Sequence, residues 1–181
     1  MSEVSLPGAE EEDEHILIQR ARKNDYRAYE RLYRLHVGRV FGLCVRLCND
    51  RDMAEDLTQE TFVSAWKKLS AFRGDSSFGT WLYRIGTNTT LSYLRKQTPF
   101  KYSVDIEDTQ DKGVEDGMAE SLSLDTALQQ LPDGARVVFV LYSLEGYTHD
   151  EIGKMLGIAT GSSKAQLHRA RQLLKASLEI V

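Results

Sequence analysis

The sequence predicts an all-α protein: two helical domains joined by a flexible acidic linker, the C-terminal one a helix-turn-helix. Three observations carry this expectation. Apolar residues recur at steps of three and four through residues 15–97, and no alternating strand pattern competes with them. Residues 98–121 then lose large apolar side chains and gain acids, as a tether does. Beyond them, two short helical segments meet at a glycine turn, Gly157-Ile158-Ala159.

Each element follows from local pattern. Residues 1–14 hold six acids and no base and read as an acidic disordered tail. In the first domain, residues 15–97, Leu32, Leu35, His36, Arg39, Val40, Leu43 and Leu47 predict one face of a long helix. Asn49 and Asp50 interrupt it. Asp52 stands three before Glu55, a capping-box spacing, and opens the next helix, with Leu57, Thr61, Phe62, Ala65 and Leu69 inward. Phe72 to Thr80 reads as a polar, glycine-bearing loop, and a further helix runs from about Thr80 to Gln97. After the linker, 98–121, in which a short helix from Val114 is an option, comes the second domain, 122–181. Leu124–Leu131 is a helix ended by Pro132. Asp133 or Gly134 starts the next, with Val137, Val138, Leu141 and Tyr142 inward, and Gly146 ends it. Thr148 and Glu151 form a second capping box, Ile152 and Leu156 face inward, and Gly157 suits the left-handed position after that helix. The last helix spans about Thr160 to Leu178, with Leu167, Leu173 and Leu174 apolar.

Composition narrows the function classes. No apolar run approaches the ~18 residues of a membrane helix, so no membrane insertion is expected. The start MSEVSLPGAEEEDE lacks the basic and apolar regions of a secretory signal. Two cysteines, Cys44 and Cys48, do not make a disulfide framework, and a cytoplasmic compartment fits. The net charge of −4 conceals an asymmetry: residues 15–97 carry fifteen bases against eight acids, whereas 98–125 carry eight acids against two bases. A basic block masked by acidic segments points to contact with a polyanion, although solvated helix faces give the same count.

Three segments carry candidate chemistry. A helix from Thr148 can brace a second from Thr160, whose N-terminal half would enter a DNA major groove. Ser162, Ser163, Lys164, Gln166, His168, Arg169 and Arg171 are the candidate contacts there, in a stretch (160–181) with four bases and one acid. In FGTWLYRIGTNTTLSYLRK, residues 78–96, aromatics alternate with bases, which suits stacking of unpaired bases while cations track phosphates. The preceding loop could hold a flipped base. Trp81, Leu82 and Ile85 fall at helical spacing and fit core packing equally well. On DMAEDLTQETFVSAWKKL, residues 52–69, Asp56, Gln59, Glu60 and Ser64 share one face near Phe62 and Trp66, either a docking surface or a solvated one.

Together DMAEDLTQETFVSAW, FGTWLYRIGTNTTLSYLRK and EGYTHDEIGKMLGIATGSSKAQLHRARQLL resemble the extracytoplasmic-function (ECF) sigma factors of bacterial RNA polymerase, over roughly residues 20–97 and 122–178. Ser92 and the pair Ala165-Gln166 depart from the family's usual residues. The resemblance implies region 2 at 15–97 and region 4 at 122–181. It implies a non-catalytic specificity subunit that binds core polymerase through its β′ and β subunits and recognises and melts promoter DNA. By resemblance, Asp56, Gln59, Glu60 and Phe62 would dock on polymerase. Phe72, Arg73, Ser76, Ser77, Phe78, Trp81, Arg84 and Asn88 would serve the minus-ten element, and the helix-turn-helix residues above the minus-thirty-five element. An anti-sigma factor is an expected partner and would be what holds the chain at a membrane.

No cofactor or metal is expected. There is no GxxxxGK[ST] phosphate loop, so melting would rest on capture of unpaired bases rather than ATP hydrolysis. Free chain should bind DNA weakly, and attachment to polymerase should multiply two modest affinities. Competing readings are a regulator that binds DNA without polymerase and a metal or redox sensor built on Cys44, Cys48 and His36. A nuclease using Glu55, Asp56 and Glu60 is a further one.

Overall fold

The computed structural model describes residues 13–97 and 124–178, and every regular element among them is helical. The first domain contains α1 (Glu14–Ala21), α2 (Tyr26–Cys48), α3 (Arg51–Lys68) and α4 (Phe78–Gln97). The second contains α5 (Leu124–Gln129), α6 (Asp133–Phe139), α7 (His149–Leu156) and α8 (Thr160–Leu178). Residues 1–12 of the expected tail, and the expected linker with its optional helix from Val114, lie outside the described residues. Asp13 and Glu14 do not belong to a tail. The Asp13 carboxylate caps α1 by accepting from the His15 N–H at 3.0 Å, and Glu14 is the helix's first residue.

Carboxylates start three of the first four helices, because an aspartate oxygen satisfies amides that have no intrahelical partner. Asp25 caps α2 through Arg27 and Ala28. Asp50, not Asp52, caps α3, accepting from Met53 N–H at 2.9 Å. The chain turns at Asn49, left-handed at φ 55°, so the helix begins two residues earlier than the Asp52–Glu55 spacing suggests. Leu32, Val40, Cys44, Leu57, Phe62, Ala65, Phe78 and Leu82 form the core of this domain. Leu35 is 62% exposed and Arg39 is exposed as well, because both lie at one edge of the stripe centred on Val40 and Leu43. Buried Thr58 and Thr61 satisfy their hydroxyls on the carbonyls of Ala54 and Leu57.

The second domain packs Leu128, Leu131, Val137, Val138, Leu141, Ile152, Leu167 and Leu174 together. α6 continues as a wider turn through Leu144, closed by Glu145 N–H donating to Val140 O, and Gly146 ends it at φ 77°. The wider turn rotates Tyr142 to the surface, contrary to its expected inward position, and Leu173 is likewise 39% exposed. The Thr148–Glu151 capping box and left-handed Gly157 are present as expected.

The two domains touch. Leu43, Leu47 and Leu91 of the first join the same apolar cluster as Leu128, Leu141 and Ile152 of the second. Arg46 donates to both oxygens of Asp125, Asn49 Nδ2 donates to Gln129 O at 3.1 Å, and Arg95 donates to Met155 O at 3.0 Å.

Candidate nucleic-acid interface

The helix-turn-helix owes its tightness to Gly153. A Cβ there would sit 2.8 Å from the backbone oxygen of Ile158, so only glycine lets α7 approach the turn this closely. Ile152 and Leu156 then hold α7 against Leu167 of α8. On α8, Lys164, His168 and Arg171 are exposed, and Ser162 and Arg169 are half-buried.

Two expected contacts face the other way. Ser163 is fully buried and Gln166 is 6% exposed. The cause is helical phase: Ser163 lies four before Leu167 and Ala170 three after it, so all three share the inner face, with Gln166 at its flank. Ala165 and Gln172, which are not among the expected contacts, are exposed instead. The Oε1 atom of Gln166 has no hydrogen-bond partner.

Ser163 braces the motif. Its hydroxyl lies 2.9 Å from Nδ1 of His149, the first residue of α7. The imidazole stacks on Tyr142 with centroids 4.4 Å apart, and the Arg171 guanidinium lies over the same tyrosine at 5.9 Å. Burial pushes the His149 pKa below the usual imidazole value, Lys164 and Arg171 push it further, and Asp150 opposes them. A neutral ring can accept the Ser163 proton at Nδ1 and keep an Nε2–H donor.

In the first domain, Phe72 and Phe78 are not available to nucleic acid. They are 7% and 1% exposed and meet edge to face, 5.8 Å apart. Trp81 packs on both, at 5.1 and 5.6 Å, and stays partly exposed, so the phenylalanines support the one ring that solvent can reach. Ser77 Oγ accepts from Thr80 N–H at 3.1 Å, the geometry of an N-terminal cap, so α4 begins at Phe78 rather than at Thr80. Arg73, Arg84 and Asn88 are exposed and Ser76 is half-buried; Arg73 pairs with Asp75 at 3.3 Å.

On α3, Asp56, Gln59 and Glu60 are exposed together. Phe62 is 4% exposed and packs on Tyr33 at 4.6 Å, so it supports this face from beneath. Val63, missed in the sequence reading, is the exposed apolar residue beside Gln59 and Glu60.

The α4 surface meets α7. The Tyr147 phenol lies beside Thr87, and burial pushes its pKa up. Hydrogen bonds from Thr148 hold the Glu151 carboxyl below its ordinary value, and the nearby Arg84 and Lys154 charges act in the same direction. Arg84, a candidate DNA contact of the first domain, therefore neighbours the start of α7 in the second.

Among the described residues, no group of three or more His, Cys, Asp or Glu side chains could hold a metal ion. His36 is engaged by Glu14 and Tyr83. Cys44 is buried with the Thr90 hydroxyl 3.4 Å from its sulfur, and burial raises the pKa of both thiols. Among the described residues no helix is long and apolar enough to cross a membrane.

Comparison with known proteins places these elements. Residues 32–100 match the model of sigma-70 region 2, and residues 121–174 match sigma-70 region 4. The chain is 33% identical to the ECF RNA polymerase sigma factor SigW of Bacillus subtilis, covering 89% of this chain and 94% of that one. It is 30% identical to the RNA polymerase sigma-H factor of Pseudomonas aeruginosa, covering 93% and 95%. Among solved structures it resembles the sigma factor RpoE of Bartonella quintana, determined in complex with the anti-sigma factor NepR. The TM-score is 0.53 at 26% identity, over 84% of this chain and 97% of that one.

Proposed function

Because this chain belongs to the ECF sigma factors of RNA polymerase, which direct promoter-specific transcription initiation, we propose a division of that work between its domains. The first domain, about 15–97, docks on core polymerase and captures the unpaired minus-ten strand. The second, about 122–181, reads the minus-thirty-five duplex. The observation that carries this reading is the exposed row Lys164, His168 and Arg171 on α8, behind an α7 that is capped and packed as a brace.

On this reading Trp81 is the stacking platform, Arg84 and Asn88 flank it, and Asp56, Gln59, Glu60 and Val63 form the polymerase-facing surface. The chain supplies no catalytic group; polymerase performs the chemistry. An anti-sigma factor is a fitting partner, since RpoE of Bartonella quintana was solved with one, and an anti-sigma factor of that kind would decide whether the chain is held at a membrane. Transcription reconstituted from purified chain, core polymerase and a genomic library tests the proposal. Defined start sites are expected with wild type, with loss of core association for Asp56→Arg. Unchanged co-purification of Asp56→Arg with core would remove the docking face from this account.

A further inference from the structure

A cavity of about 250 Å³ lies between the two domains. α2 contributes Phe41 and Arg46 to its wall, Asn49 follows α2, Arg51 begins α3, Asp125 comes from α5 and Arg136 from α6. Three guanidinium groups thus meet a single carboxylate in the lining. Arg46 and Asp125 satisfy each other. Arg136 is 2% exposed and donates to Leu131 O at 3.0 Å and to Asp133 Oδ1 at 2.7 Å, but its Nε–H has no partner. Arg51 lies over the Phe41 ring at 5.1 Å, and no carboxylate among the described residues pairs with it. The buried Arg136 Nε–H, without a partner among the described residues, and the exposed Arg51 guanidinium beside it offer an anion two donors from different helices.

We propose that this cleft binds a small phosphate monoester, and that the bound anion holds the two domains together. A tetrahedral oxyanion presents acceptors in several directions and can meet donors carried by different helices, and guanidinium groups suit phosphate oxygens in particular. Phe41, Val45 and Leu128 give the lining an apolar part that suits the ester's organic group. Both domains supply ligands, so the complete site exists only in the closed arrangement, and an anion bound there shifts the population toward it. The consequence for initiation rests on the sigma-factor assignment; the binding itself does not.

Calorimetric titration of the full chain in Tris buffer, with inorganic phosphate and AMP as probes and chloride as the ionic-strength control, tests the site. Saturable binding of at least one probe is expected, with none from chloride. Arg51→Gln is expected to keep the wild-type melting temperature and to weaken binding about tenfold or more, as for loss of a charge-assisted hydrogen bond. A dye pair on the two domains should report a shorter mean separation when the probe is bound. Without anion, Arg51→Gln with core polymerase should initiate as wild type does, and added anion should slow wild type alone. Absence of saturable binding, or equal binding by Arg51→Gln, overturns the site. Binding with no change in separation overturns the closure, while normal initiation by the same preparations leaves the sigma-factor reading standing.

Discussion

Arg46 of α2 grips Asp125 of α5 with two nitrogens, at 2.8 and 3.4 Å, across the boundary between the domains. The Arg46 hydrogen bond holds the Asp125 carboxyl below its ordinary value, against a smaller effect of burial. Both side chains are substantially exposed, so the pair itself contributes at most about 1 kcal/mol.

Asp125→Asn should therefore loosen the interface without unfolding either domain. Small-angle scattering should show a larger radius of gyration, and the melting temperature should move little. An unchanged radius would mean that the apolar contacts of Leu43, Leu47 and Leu91 suffice by themselves.

Gly153→Ala should destabilise the second domain by about 1–3 kcal/mol, as overpacking against a fixed backbone atom does. The added methyl would meet Ile158 O at 2.8 Å, and a carbonyl within a tight turn cannot swing aside as a side chain can. Thermal unfolding of the variant checks this, and a wild-type melting curve would contradict the close approach.

Gln166→Leu should leave promoter selection unchanged and stabilise the domain slightly. The glutamine is 6% exposed with an unpartnered Oε1, and an unsatisfied buried polar atom costs about 1–3 kcal/mol. Start-site mapping decides: altered selection by this variant would mean that Gln166 turns outward on DNA.

His149 should make the second domain sensitive to acid. Its folded pKa lies below the ordinary imidazole value of 6.5, so the unfolded chain binds a proton that the folded chain refuses. The stabilisation is fully present above that value and is lost as pH falls from it toward the folded pKa. Denaturant unfolding at several pH values should show this loss in wild type and a flatter profile in His149→Phe. Equal profiles would remove His149 as the cause.

The helices were legible because apolar spacing and caps are local. Thr148, Glu151 and Gly157 mark α7 without reference to anything distant. Side-chain direction was less legible. Ser163 and Gln166 are polar and sit in a basic stretch, yet the phase of α8 turns them inward, and only the position of Leu167 against α7 fixes that phase. Phe72 and Phe78 flank a polar loop and read as exposed until each is seen to pack on the other. Gly153 gave no sign of its role, since the atom that excludes a side chain lies five residues further along. The contact between domains was invisible for a related reason: Leu43, Leu47 and Leu91 look like ordinary core residues, and no pattern within a helix says which neighbour will cover them.

The packed domains carry a geometric consequence for reach. Elements named for positions ten and thirty-five are separated by roughly 85 Å along B-form DNA at 3.4 Å per base pair, a distance that neighbours in direct contact do not straddle. The 26 residues between Gln97 and Leu124 can extend to about 90 Å at most. On the proposed division of labour, holding both elements at once would require the Arg46–Asp125 embrace to open, and removing eight of these residues should weaken initiation at promoters that carry both elements while leaving the closed form intact.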